Sequence, residues 1–186
     1  MPSPVIPALA ALAAVAACTT TGSTSAAMRL GPDGRPLPVV YRIREGDVPQ
    51  IQARMRESIN AVRAQAGVAP VELSVELTSA AATHARDMSI QGRPWHFGSD
   101  GSSPIDRVAR VGYRGEFLGE TLSETYETEI QTLTAWLDQR DTRAILLDPR
   151  AREIGFAWHQ EANGKLWWVL TTGVSNQPQA LAAAAG

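Results

Sequence analysis

Histidine is scarce in this 186-residue chain: His84, His96 and His159 are the only three. His84 shares helical spacing with Leu77, Ala81 and Met88, which predicts a buried core imidazole. His159 follows Trp158 in a run where Ile154, Phe156 and Trp158 alternate, so it belongs to the opposite face, towards solvent or the sheet margin. His96 differs. It stands in the polar loop Trp95-His96-Phe97-Gly98-Ser99-Asp100-Gly101, where glycines let the backbone turn and present the ring. The candidate acid is Glu120, which follows Gly119 inside the otherwise apolar stretch Phe117–Leu122. A carboxylate there must find a hydrogen-bond donor or shift its pKa. It fits a structural brace for the His96 loop as well as a catalytic group. A His–Glu pair supplies a general base and an orienting group, with Ser99, Ser102 or Ser103 as conceivable nucleophiles. No Gly-x-Ser-x-Gly elbow surrounds those serines, and serines beside glycines ordinarily form turns.

The elements that must position these residues are readable. Ile51, Met55, Ile59, Val62 and Ala66 predict a helix from Asp47, its N-cap, to Gly67, its stop. A second helix is predicted from about Ser74 to Ile90, closed by Gly92. The loop 92–103 leads into a short helix, Pro104 to Val111, with proline in its first turn. After an extended Phe117–Leu122, a third long helix is expected over Glu124–Gln139, burying Tyr126, Ile130, Leu133 and Leu137 with Trp136 beside them. A helical turn at Thr142–Leu147 stops at Pro149, and a short edge strand is expected at Val39–Ile43. Arg152–Glu161 and Lys165–Val174 then read as a hairpin across Asn163-Gly164, two residues that tolerate positive φ. Helices followed by an antiparallel hairpin give an α+β order, without the strand–helix alternation of a parallel sheet.

The N-terminus reads as an address. Val5–Ala17 is apolar and small, too short to span a bilayer, and ends in Val15-Ala16-Ala17-Cys18. That ending is similar to a bacterial lipobox, whose cysteine is acylated; several acyl chains on Cys18 would anchor the chain stably to a lipid membrane. Met1-Pro2-Ser3-Pro4 departs from the usual signal by lacking Lys and Arg. The expected organisation is a lipoprotein signal peptide at 1–17, a flexible tether at 18–45, a folded domain at 46–175 and a low-complexity tail at 176–186. Thr19 after the cysteine lacks an acidic retention signal and points to an outer membrane, with the domain facing the periplasm.

Composition narrows the function further. One cysteine precludes an intramolecular disulfide, so stability rests on a packed core. A net charge of -2 and a pI near 5.9 exclude the basic excess that nucleic-acid binding requires.

Taken together, the motifs resemble the CAP superfamily (cysteine-rich secretory, antigen 5, pathogenesis-related 1; also termed SCP). The helix Leu77-x3-Ala81-x2-His84-Ala85-x-Asp87-Met88 is similar to that of bacterial members. His96–Gly101, Arg107 and Gly112-Tyr113 resemble their histidine loop and short helix, and Gly119-Glu120-Thr121-Leu122 stands for Gly-Glu-Asn-Ile. Ala135-Trp136-Leu137, Leu146-Leu147, Ile154-Gly155-Phe156 and Trp168-Val169 continue the match in order, over roughly residues 50–173. The resemblance implies an α-β-α sandwich with a central, mostly antiparallel sheet. It also implies a cleft around two His and two Glu, sometimes holding a divalent metal. His96 matches the first histidine and Glu120 the first glutamate; the second glutamate falls near Gln139, and Thr142 replaces the second histidine. One imidazole, one carboxylate, one amide and one hydroxyl make a poor zinc set, so no metal or other cofactor is expected. Relatives bind sterols, fatty acids, glycans or proteins. The resemblance therefore implies a non-enzymatic envelope module with His96, Glu120, Gln139 and Thr142 lining a ligand cleft. The alternatives are a hydrolase of peptidoglycan or peptides, or a structural envelope protein.

Overall fold

The computed structural model describes residues 40–175. Helix α1 (Val48–Gln65) follows a 3-10 turn at Glu45–Asp47, and Pro49 occupies its first turn, where a missing N–H costs nothing. A two-residue strand β1 (Glu72–Leu73) leads to α2 (Val75–Gln91), capped by Ser74, whose hydroxyl accepts from the Leu77 N–H. Helix α3 (Pro104–Arg110) carries a reciprocal Ser103–Asp106 capping box. Strand β2 (Glu116–Thr125), helices α4 (Glu129–Asp138) and α5 (Arg140–Leu146), and strands β3 (Glu153–Gln160) and β4 (Leu166–Val174) complete the chain.

The four strands form one sheet in the order β1-β3-β4-β2, antiparallel except for the short β1–β3 pairing. Period-two alternation divides its side chains between two layers. Ile154, Phe156, Leu166, Trp168 and Leu170 face α1, α4 and α5, with Ile51, Met55, Ile59, Trp136 and Leu146. Ala157, Trp167, Val169 and Leu122 face α2, with Ala81, Ala85 and Met88. Helix α3 closes over the start of α2 through Val108 against Leu77 and Ala80. The result is an α+β sandwich of helix, sheet and helix, and no helix of the described residues is long and apolar enough to cross a membrane.

The register across the sheet sets Glu120 opposite Thr171, and Thr171 opposite Gly155. Gly155 is required by proximity: a Cβ there would overlap the Leu77 carbonyl group and the Thr78 nitrogen, so α2 lies directly on β3. Gly155→Ala is expected to push helix and strand apart and to destabilise by about 2–4 kcal/mol, as an overpacked core does; urea denaturation measures it.

Three expectations are corrected. The helix expected over Glu124–Gln139 starts only at Glu129, because Ser123, Glu124 and Thr125 continue β2 opposite Trp168, Trp167 and Leu166. Tyr126 and Ile130 are therefore exposed, and Glu129, Thr132, Leu133 and Trp136 form the buried face. Tyr41–Ile43 is not a strand, yet it is docked: the Arg42 guanidinium donates to the Glu161 and Ala162 carbonyls, and the Ile43 N–H donates to Gln160. The hairpin turn uses positive φ only at Gly164 (+99°), not at Asn163. The signal peptide, Cys18, the tether up to residue 39 and the tail from 176 lie outside the described residues.

Candidate functional site

The loop after α2 brings His96 to β2. Its Nδ1 lies 2.9 Å from Glu120 Oε1, and its side chain remains 54% exposed, while that of Glu120 is only 2% exposed. The donor that a buried carboxylate demands is Arg107 of α3. Its Nη2 lies 2.9 Å from both Glu120 oxygens, and its Nη1 donates to the carbonyls of His96 and Ser102. A carboxylate held by a guanidinium only accepts, so His96 Nδ1 is the donor in its contact. One arginine thus joins the loop, α3 and β2. Arg107 is part of the motif resemblance, but its role as the partner of Glu120 was not apparent along the chain. The apolar setting of Glu120 signalled that some donor had to exist.

His84 stands behind this network. It is fully buried on α2, with Nε2 2.9 Å from the Trp95 carbonyl oxygen and 3.9 Å from Glu120 Oε1. Burial lowers its pKa below the ordinary histidine value, with the nearby Arg107 adding to the effect and the Glu120 charge opposing it. Since the folded pKa lies below the unfolded value, the unfolded chain binds the extra proton first as pH falls. The stability is fully present above about pH 6.5 and is lost below it, at no more than about 1.4 kcal/mol per pH unit. Chemical denaturation at pH 7.5 and 5.5, above the carboxylate range, should show that loss; equal stabilities would mean that His84 does not stay neutral.

The serines are engaged elsewhere. Ser99 donates through Oγ and N to Asp87, and Ser103 caps α3 through Asp106. The Ser102 N–H donates to Asp100, which also pairs with Arg110. None of the three makes a hydrogen bond with His96 or Glu120 among the described residues. Gln139 and Thr142 sit at the junction of α4 and α5, helices that cover the other face of the sheet. Gln139 is exposed, and the Thr142 hydroxyl donates to the Trp136 carbonyl. The structure joins His96 to Glu120 and leaves Gln139 and Thr142 in a separate layer. His159 is half-buried on β3, across from Trp167.

A divalent ion does not fit this donor set. Both Glu120 oxygens are held by Arg107, and no group of three or more His, Cys, Asp or Glu among the described residues is placed to hold a metal. Beside the network, a cleft of about 480 Å³ opens between α2 and α3. Ala80, Thr83, Ile90 and Val111 wall it, His84 and Arg107 reach it from behind the His96–Glu120 pair, and Arg86 and Arg110 stand among its polar residues. That volume is ordinary for a small-molecule pocket.

Comparison with known proteins places this geometry. A family model described as the cysteine-rich secretory protein family, CAP, matches residues 56–171, more than half of the chain. The Bacillus subtilis (strain 168) protein YkwD is 23% identical over 120 residues, which are 64% of this chain and 46% of that protein. The chain thus spans about half the length of the curated relative it matches. Among solved structures, an outer surface protein of Borrelia burgdorferi superposes with a TM-score of 0.64 at 16% identity, covering 74% of this chain and 99% of that one. An extracellular SCP-domain protein of Bacillus anthracis gives 0.61 at 16% identity, covering 73% and 45%.

Proposed function

The chain belongs to the cysteine-rich secretory protein (CAP) family, and from that membership we propose an extracytoplasmic binding module, tethered to the envelope through an acylated Cys18, that holds a ligand and does no chemistry on it. The observation that carries this reading is the closed state of Glu120. Its two oxygens accept from Arg107, and one of them also accepts from His96, so it is neither a free base nor a metal ligand. Of the candidate nucleophiles, the Ser99 and Ser103 hydroxyls are spent on Asp87 and on the cap of α3. What stays open is the cleft between α2 and α3, whose size suits a lipid or a glycan fragment better than a protein surface.

The location rests on the sequence and on the relatives. Val15-Ala16-Ala17-Cys18 supplies the acylation site, and the neighbours described as outer-surface and extracellular proteins agree with a place outside the cytoplasm. Thr19 favours the outer membrane. Cys18→Ser is expected to move the protein from the membrane fraction into the soluble envelope fraction and to abolish palmitate labelling; retention in the membrane would refute the anchor. For ligand binding, the purified protein is loaded with an envelope extract and its retained molecules are identified by mass spectrometry. A defined lipid or glycan is expected. A protein that emerges empty after exposure to lipids and peptidoglycan fragments overturns the binding reading. Peptidoglycan or peptide hydrolysis that disappears in a folded His96→Ala variant overturns the non-enzymatic one.

A further inference from the structure

Two large apolar side chains stay in solvent where α2 ends: Ile90, 75% exposed, and Phe97, 48% exposed. Looseness is not the reason. Gln91, the residue after Ile90, donates to the Phe97 carbonyl and accepts from the Trp95 indole N–H, and the Trp95 and Phe97 ring centres are 5.5 Å apart. The loop on either side is fixed as well, by Arg107 on the His96 carbonyl and by Ser99 on Asp87. A loop held this firmly that still presents an aromatic ring beside an exposed isoleucine marks a contact surface.

The rim of that surface is cationic. Arg86 lies one turn before Ile90 on the same face of α2 and is exposed, with no hydrogen bond or ion pair among the described residues. Arg93 stacks on Trp95, its guanidinium carbon 3.5 Å from the ring centre, and meets no carboxylate. Arg42, at the nearby hairpin turn, donates only to the Glu161 and Ala162 carbonyls. The acids beside them, Asp87 and Glu161, accept from neutral groups: Ser99 and Gln91 on the first, Ser89 and Trp167 on the second. Lys165 and Glu124 pair with each other. Three arginines against two carboxylates leave this end positive, in a chain whose net charge is -2. Apolar tips, a tryptophan and a margin of arginines are the makings of a surface that sits at a water–lipid boundary.

The course of the chain points to the same partner. Val40 lies over Gly164 and Arg42 holds the hairpin turn, while Glu161 of that turn accepts from Ser89, the neighbour of Ile90. The chain that leads back to Cys18 therefore leaves the folded unit beside the Ile90–Phe97 end. Val75, at the other extreme of α2, is about 22 Å from Ile90. Resting on the reading of Cys18 as an acylated anchor, we propose that this end of the domain docks on an anionic lipid surface. Ile90 and Phe97 enter the boundary between headgroups and acyl chains, Trp95 lies at headgroup level, and Arg42, Arg86 and Arg93 meet lipid phosphates. So few groups bind weakly by themselves. The anchor keeps the protein on the membrane, and the docking fixes which way the domain faces.

The test replaces the acyl group, so that fractionation of Cys18→Ser judges the anchor separately. Residues 18–186, with Cys18→Ser and an N-terminal histidine tag, are held by nickel-chelating lipid on vesicles of phosphatidylcholine with about 30% phosphatidylglycerol, the anionic component. A single cysteine, introduced as Ile90→Cys, Phe97→Cys or Val75→Cys, carries a polarity-sensitive dye. At positions 90 and 97 the dye is expected to shift to the blue and to be quenched by brominated lipid. At position 75, which is 83% exposed and equally apolar, it should stay in water. Arg86→Gln and Arg93→Gln should each lower the ratio of docked to free dye about fivefold, the effect of one cation near an anionic surface. Omitting phosphatidylglycerol should lower it at least as much. An equal response at 75 overturns the proposed face, because the dye itself would then drive insertion. No response at 90 and 97, with the protein still held on the vesicles, overturns the docking and leaves the anchor standing. Docking that ignores both arginines and phosphatidylglycerol overturns the anionic assignment.

Discussion

Arg107→Met is expected to destabilise the protein by about 3–5 kcal/mol, the cost of leaving a buried charge without its partner. The Glu120 side chain is 2% exposed and Arg107 6%, so water cannot replace the guanidinium. The same substitution frees the carbonyls of His96 and Ser102, and the loop between α2 and α3 should loosen with them. Glu120 then has only His96 to satisfy it, on the solvent side. Urea denaturation measures the loss, and amide exchange over residues 95–103 locates it. The companion experiment separates pairing from packing. Arg107→Met combined with Glu120→Leu removes both charges and is expected to recover most of the stability, since an apolar pair of similar volume often replaces a buried ion pair at little cost. A single substitution that costs under about 1 kcal/mol would mean that the ion pair does not organise the site. This pair also explains why the site reads as a binding module: the charge that could have served chemistry is committed to holding the loop.

How much of this was visible along the chain depended on whether the partner was local. The proline that opens α3, the stripe that buries His84 and the Asn163-Gly164 hairpin are signals within a few residues, and each element formed where its signal stood. Glu120 announced its need for a donor through its apolar neighbours. The identity of that donor, 13 residues away on another element, was set by how α3 folds back over the start of α2. The misplaced start of α4 has a different cause. Tyr126, Ile130 and Leu133 keep helical spacing, but pairing with β4 claims Ser123–Thr125 for the sheet, and tertiary pairing outweighs a local pattern. The capping box of Thr128 with Gln131 was the local sign of the true helix start. Gln139 and Thr142 entered the cleft only through the family motif, which fixes order along the chain and not which face of the sheet a helix junction meets.

The largest surprise on a helix face leads to the second strong prediction. The stripe Ile51, Met55, Ile59 points to the core as expected, but the next buried position is Arg63, not Val62 or Ala66. Arg63 has no exposed surface, and its guanidinium donates to the carbonyls of Ala69, Leu146, Asp148 and Ala151. It ties the end of α1 to the loop before β1, the end of α5 and the turn that starts β3. Planar geometry with five N–H donors makes this possible, and no other side chain can serve four acceptors in one plane. Arg63→Met is therefore expected to cost about 3–5 kcal/mol, because four carbonyls lose a charged donor, and only those of Asp148 and Ala151 keep a second one, from the Ala151 N–H and the Arg152 guanidinium. Against a total stability of about 5–15 kcal/mol for a domain, that is enough to unfold a sizeable fraction at 37 °C. Arg63→Lys keeps the charge but offers a point ammonium that reaches fewer acceptors, so it should recover less than half of the loss. Denaturation of the three proteins side by side tests the order. Equal stability of the methionine and original proteins would mean that these four carbonyls do not depend on Arg63. A fully restoring lysine would reduce its role to charge, and the fork geometry would no longer explain why an arginine sits in the core.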